Sequence, residues 1–112
     1  MILILCGSYE ALSGIKSVKE LGYKVIVADG NFNCPGKKYS DHFIHADIYN
    51  PELFIKKLSI SKIKDKITGV ITVAADNVQT WAYVAEYLNL IGPSKIQAEI
   101  SVNKLKQKKI LT

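Results

Sequence analysis

The chain has 112 residues, 48% of them hydrophobic, with a formal charge of +5, which suits one compact domain with its own core and is short for two. All 15 basic residues are lysine, so the planar arginine fork that usually reads bases and phosphates is missing and a nucleic-acid partner is not expected. Cys6 and Cys34 are too far apart for a CxxC motif and form no disulfide framework, and the apolar start Met1 to Cys6 has no basic leader and falls far short of the roughly 20 residues that span a bilayer; neither secretion nor a membrane is expected, and the cytoplasm is the expected location.

Ile2 to Cys6 is an uninterrupted apolar run ending at Gly7, as in a strand buried on both faces of a parallel sheet. Ala11, Leu12, Ile15, Val18 and Leu21 keep helical spacing over 10–21, and Gly22 is placed to end that helix in the left-handed conformation. Val25 to Ala28 reads as a second strand, and the turn-rich stretch 29–38 as a loop. His42 to Ala46 supplies a short third strand. Asn50-Pro51-Glu52 then has the order of a helix start: cap, proline at the first position, acid at the positive end of the dipole. Lysines 56, 57, 62, 64 and 66 read as a solvated face. Gly69 to Ala74 is strand four, followed by a helix capped by Asp76 or Asn77 with Val78, Trp81, Ala82, Ala85 and Leu88 on one face. Leu90 and Ile91 suggest a short fifth strand, and Ser94 with Gln97 has the form of a capping box opening another helix.

Strands alternating with amphipathic helices imply right-handed crossovers and a three-layer α/β/α fold, Rossmann-like, with a parallel sheet of four to five strands. Ligands of such sheets bind beyond the carboxyl ends of the strands where the strand order reverses, which singles out the loop Cys6 to Glu10 and the loop Ala74 to Asn77. Backbone N–H groups at the helix starts there favour an anion such as phosphate or carboxylate. A dinucleotide site needs G-x-G-x-x-G, because its glycines allow the backbone to approach pyrophosphate. Cys6-Gly7-Ser8-Tyr9-Glu10-Ala11 supplies only Gly7, although Asp29 ends strand two where a ribose-binding acid would sit; a turn-forming role explains Asp29 equally well. Gly14 is read as close packing of helix on sheet. His42 and His45 are three apart in a strand and point to opposite faces, so no shared metal is expected. Ser8 lacks the second glycine of a nucleophile elbow, and no catalytic residue is expected. Asp76 and Asn77 suit either a substrate amine or hydroxyl, or helix capping. Trp81, Tyr83 and Tyr87 are read as core or as an interface.

Val27-Ala28-Asp29-Gly30-Asn31, followed by Pro35-Gly36-Lys37-Lys38-Tyr39-Ser40-Asp41, resembles the strand-two region of ATP-grasp enzymes related to the carbamoyl-phosphate synthase large chain. Lys19-Glu20-Leu21-Gly22-Tyr23, Val70 to Asp76, Ala82 to Leu88 and Asn103-Lys104 fit in the same order, so the resemblance runs through essentially the whole chain. It implies an N-terminal, pre-ATP-grasp domain over residues 1–100, with 101–112 starting a linker helix toward an ATP-grasp domain. The open apolar face of that last helix likewise reads as a chain that continues. The family activates a carboxylate as an acyl phosphate with ATP and magnesium and lets an amine or other nucleophile displace the phosphate. The resemblance therefore implies a carboxylate–amine ligase parent whose ATP and Mg2+ are gripped by later domains. This chain would supply substrate-binding loops at Gly7, Ser8, Tyr9, Asp29, Asp76 and Asn77, with no cofactor and no activity of its own. Expected partners are a small-molecule carboxylate or amine, the ATP-grasp domains in cis and a homodimer. Where relatives often carry a glycine triplet this chain has Cys6-Gly7-Ser8, and Ala11 stands at a frequent glutamine, so the pocket is expected to differ. The alternatives are a standalone regulatory module that binds a nucleotide and a pure interaction domain.

Overall fold

The structure, a computed structural model, describes residues 1–73 and 75–92. Its strands are β1 (Ile2–Ile4), β2 (Val25–Asp29), β3 (His42–His45) and β4 (Gly69–Ile71), and its helices α1 (Leu12–Glu20), α2 (Pro51–Ser59) and α3 (Val78–Tyr87). Single turns of 3-10 helix occupy Tyr9–Ala11, Pro35–Tyr39, Lys62–Lys66 and Ala75–Asn77. The sheet runs β3-β2-β1-β4 with every pairing parallel. Leu3 to Leu5 and Val25 to Ala28 are buried, which is why their apolar runs show no alternation: both sheet faces are covered. The turn Pro35–Tyr39 packs with α1, while α2 and α3 pack together, as right-handed crossovers on opposite faces require. Ile15 from α1, Phe54 and Leu58 from α2 and Val84 from α3 complete the core.

Two helix ends follow from local sequence. Gly22 sits at φ 93°, its N–H donating to the Lys19 carbonyl and that of Tyr23 to the Val18 carbonyl, the paired bonds that close a helix through a left-handed residue. Asn50 accepts from the Leu53 N–H at 3.1 Å with Pro51 at the first helical position, so the cap expected there forms.

Other elements depart from expectation. The stretch from Glu10 opens as a 3-10 turn, and the α-helix begins only at Leu12. Strand β4 stops at Ile71, where the chain leaves the ladder and Thr72 turns its hydroxyl to Asn77. Asn77 occupies the N-cap position of α3 but makes no cap bond; its side chain is committed inward. On α3, Thr80 and Val84 are buried along with Ala82 and Ala85, so the inner face is broader than the periodicity of the larger apolar residues suggested. Leu90 and Ile91 form no strand, and the described sheet has four strands. Ile71 gives its carbonyl to Leu5, so the Val70 carbonyl faces the outer edge, where the Trp81 indole N–H takes it at 2.8 Å. The helix expected from Ser94 and the linker helix at 101–112 lie outside the described residues.

Candidate functional site

Strand β1 feeds β2 on one side and lies beside β4 on the other, which makes the β1/β4 junction the point where strand order reverses. A cleft of about 620 Å³ opens over the carboxyl ends of all four strands. Cys6, Ser8 and Glu10 line it after β1, Asp29 and Asn31 after β2, Asp47 and Tyr49 after β3, and Val73 and Asp76 after β4. Four carboxylates thus converge on one cleft whose lining contains no lysine, although the chain as a whole is basic.

The carboxylates also occupy the backbone donors that an anion would need. Asp29 accepts from the Gly7 N–H at 2.8 Å through one oxygen and from the Asn31 N–H at 2.8 Å through the other, so it pins the β1 loop to the β2 loop. Glu10 is held below the usual carboxylate range by its own backbone N–H and then by the Ser8 hydroxyl. The Cys6 thiol lies 3.1 Å from the Ser8 hydroxyl. On the far wall the Asp47 carboxylate accepts from the Tyr49 N–H at 2.8 Å. Desolvation pushes the Tyr49 phenol up, and the negative charges of Asp76, Asp29 and Asp47 add to that, which places the phenol within the field of these cleft acids. In the first loop the Gly7 N–H is thus engaged by Asp29 and the Glu10 N–H by its own carboxylate, and the acids of the cleft would repel an anion there.

Of the six residues singled out in the sequence, Ser8, Asp29 and Asp76 line this cleft. Gly7 lies beneath it with its N–H committed to Asp29. Asn77 is buried; its amide donates to the Leu5 carbonyl at 2.6 Å and its oxygen accepts from the Thr72 hydroxyl at 2.6 Å, clasping the exits of β1 and β4 to the start of α3. Tyr9 projects to the other side of the loop, into a second groove with Leu12 and the turn Pro35–Tyr39. The backbones of Gly7 and Gly36 cross closely between the two spaces, with the Gly36 N–H donating to the Gly7 carbonyl at 2.7 Å. Glu10, Asp47 and Tyr49 join the site without having been singled out as side chains. The one signal for the last two was an acid directly after a strand's carboxyl end.

Among solved structures, the chain is similar to phosphoribosylglycinamide synthetase from Anaerococcus prevotii, at 23% identity and TM-score 0.69 over 84% of this chain and 23% of that one. It is similar to an L-amino acid ligase from Bacillus licheniformis, at 20% identity and TM-score 0.69 over 88% and 26%. It is also similar to N5-carboxyaminoimidazole ribonucleotide synthetase from Thermotoga maritima, at 23% identity and TM-score 0.67 over 96% and 30%. The shared architecture is a Rossmann-like α/β fold. It spans between a fifth and a third of the length of these proteins, so the likeness is one of fold. No family model matches the chain, and no curated protein matches it.

Among the described residues no group of three or more His, Cys, Asp or Glu is placed to hold a metal, and the cleft presents four acids and no lysine. No described helix is long and apolar enough to cross a membrane.

Proposed function

We propose that this chain is the substrate-side, pre-ATP-grasp domain of an ATP-dependent carboxylate–amine ligase, and that its cleft receives the amine-bearing partner. The observation that carries the amine end is the convergence of Glu10, Asp29, Asp47 and Asp76 on one lysine-free cleft; a protonated amine is the group such a field attracts. The position at the strand-order reversal and the fold shared with ligases several times its length support the ligase reading. ATP and magnesium would be held by ATP-grasp domains in cis, carbamoyl-phosphate synthase-like in type, and the chain alone would not turn over substrate. Its own residues would bind and orient the ammonium, and a cleft carboxylate would take one proton to free the nitrogen lone pair; as that pair attacks an activated acyl carbon and the phosphate leaves, the second proton would pass to solvent. Asp76 and Asp47 would contact the amine, while Asp29, already bonded to two backbone N–H groups, would shape the floor. A cytoplasmic location is part of the proposal, since Cys6 and Cys34 are both free thiols.

Two measurements test it. The gene, read beyond codon 112, is expected to continue into an ATP-grasp domain, and a stop codon there would remove the ligase reading. Separately, amide shifts in the isotope-labelled chain are expected to move at Ser8, Asn31 and Tyr49 on titration with ethanolamine and glycine amide but not with acetate. If acetate moves them and the amines do not, the cleft takes the carboxylate instead. If only NAD or AMP does so, the chain is a nucleotide-binding module.

A further inference from the structure

The loop that walls the acidic cleft on one side walls a basic groove on the other. Ser8 and Glu10 project into the cleft while Tyr9 projects away. The groove, about 650 Å³ and more open than the cleft, runs between Tyr9 with Leu12 on one wall and Cys34, Lys37, Lys38 and Tyr39 on the other. Two lysines line it, Lys37 and Lys38, and two more, Lys16 and Lys19, reach Tyr39 from outside the lining. The ammonium groups of Lys16 and Lys38 lie 5.0 and 5.1 Å from the centre of the Tyr39 ring, that of Lys37 sits 3.2 Å over the Phe32 ring at the groove's margin and would swing inward to meet a ligand, and Lys19 donates to the Tyr39 carbonyl at 2.9 Å. Among the described residues only Lys19 of these four has a carboxylate partner, Asp41 at 3.6 Å. Lys16, Lys37 and Lys38 rest against aromatic faces, contacts worth little in water, so an oxyanion could recruit them without breaking an ion pair.

We propose that this groove is a second ligand site, for a small organic phosphomonoester whose apolar body lies between Tyr9 and Tyr39 and whose phosphate is held by Lys37 and Lys38. The walls explain the choice of class. Two phenol rings and Leu12 offer a flat apolar slot, and two lysines on the turn Pro35–Tyr39 offer compact point charges suited to a doubly charged group. The turn is anchored from beneath by the Gly36 bond to Gly7, so the lysines project from fixed backbone. This site does not rest on the ligase reading, because it lies outside the cleft and invokes none of its carboxylates.

The test is a titration of the isotope-labelled chain with phenyl phosphate and, separately, with inorganic phosphate at low ionic strength. Phenyl phosphate is expected to move the amides of Tyr9, Asn33 and Lys37 to Tyr39 before any others, and to bind more tightly than inorganic phosphate. Replacing Lys37 and Lys38 by Glu should weaken it about tenfold or more, the effect of losing charge-assisted bonds at a partly exposed site. The matched control, Lys56→Glu with Lys57→Glu on α2, removes the same net charge and should leave binding unchanged. Tyr9→Ala should weaken phenyl phosphate and spare inorganic phosphate. If the control weakens binding as much as the groove variant, the lysines attract anions only through net charge and the site is refuted. Should the Lys37/Lys38 variant lose its native spectrum, Gln replaces Glu at both positions and the same comparison decides.

Discussion

Three glycine-to-alanine substitutions should give three different outcomes, because the space and backbone around each glycine differ. At Gly36 an added Cβ would lie 2.8 Å from the Ile15 Cδ1 and 3.0 Å from both the Cα and the carbonyl oxygen of Gly7. Ile15 is fully buried and Gly7 is tied to Gly36 and Asp29 by hydrogen bonds, so neither neighbour can retreat freely. Overpacking of this kind costs about 1–3 kcal/mol, and loosening the Gly36–Gly7 bond adds about 1. Set against the roughly 0.4–1 kcal/mol that alanine gains by restricting the unfolded chain, a net loss of about 2–3 kcal/mol is expected. Gly22 has open space around it but φ 93°, so alanine there should cost about 1 kcal/mol of backbone strain. Gly14 lies inside α1, and an added Cβ would meet only Val73 at 3.5 Å, an ordinary contact; the close packing read from the sequence is not found, and alanine should stabilise by about 0.5–1 kcal/mol. Urea unfolding followed through Trp81 fluorescence and circular dichroism reads all three as midpoint shifts at constant slope. If Gly36→Ala stays within about 0.5 kcal/mol of the parent, the crossing of the two loops is not as tight as these distances require. If Gly14→Ala is as damaging as Gly36→Ala, free space has been misassigned to α1.

Asn77→Ala should cost about 2–4 kcal/mol, since it removes the amide that donates to the buried Leu5 carbonyl and the oxygen that accepts from the Thr72 hydroxyl; denaturant melts check it, and a loss below about 1 would refute the clasp. Thr80 is buried with no partner for its hydroxyl, so the near-isosteric Thr80→Val should raise stability by about 1 kcal/mol, read as a melting temperature several degrees higher. Asp41 is held below its ordinary 3.8, first by the Val25 N–H and then, against the opposing effect of burial, by Lys19. A depressed folded value means its contribution is complete above 3.8 and withdrawn as pH falls through the lower folded value. The stability gap between the parent and Asp41→Asn, modest at this half-exposed pair, should therefore be present at pH 7 and narrow below pH 3.8 in acid titrations followed by circular dichroism.

Most of the scaffold was legible because its causes are local. The unbroken runs at Ile2 to Leu5 and Val25 to Ala28 signal strands covered on both sides, and Asn50-Pro51 and Gly22 punctuate helices through their own backbone chemistry. The neighbouring positions of β1 and β4 are those of the usual strand order in such a sheet. What stayed hidden depends on partners distant in the chain. An asparagine before a helix reads as a cap, yet the acceptor for Asn77 is 72 residues upstream. Tyr9 sits among residues of one loop, and only the fold decides that it turns away from Ser8 and Glu10. Pro35-Gly36 announced a turn but not that Gly36 must lack a side chain to pass Gly7. For Asp47 and Tyr49 the one mark was an acid just after a strand's carboxyl end, and so short a strand did not show that they form the cleft's far wall.

Asp29 shows how one residue can support two opposed readings until its partner is known. At the end of strand two in a Rossmann-like fold, an acid in this place suggests a ribose contact and hence a nucleotide. Here both of its oxygens are engaged, by Gly7 and Asn31, and the Gly7 N–H it occupies is the first-loop donor that a pyrophosphate would need. On its other side Gly7 is closed off as well: a Cβ added there would lie 2.5 Å from the Cys34 Sγ and 2.9 Å from the Val27 Cγ1. The glycine is thus required by packing beneath the loop rather than by a ligand above it. A dinucleotide would have to displace the Asp29 carboxylate from Gly7 and then sit among the remaining acids, two unfavourable steps with no lysine in the cleft to offset them. The residue that first motivated a nucleotide-binding module is therefore the one that most directly opposes it. In the proposed reading a substrate amine would instead meet Asp47 and Asp76 across the cleft.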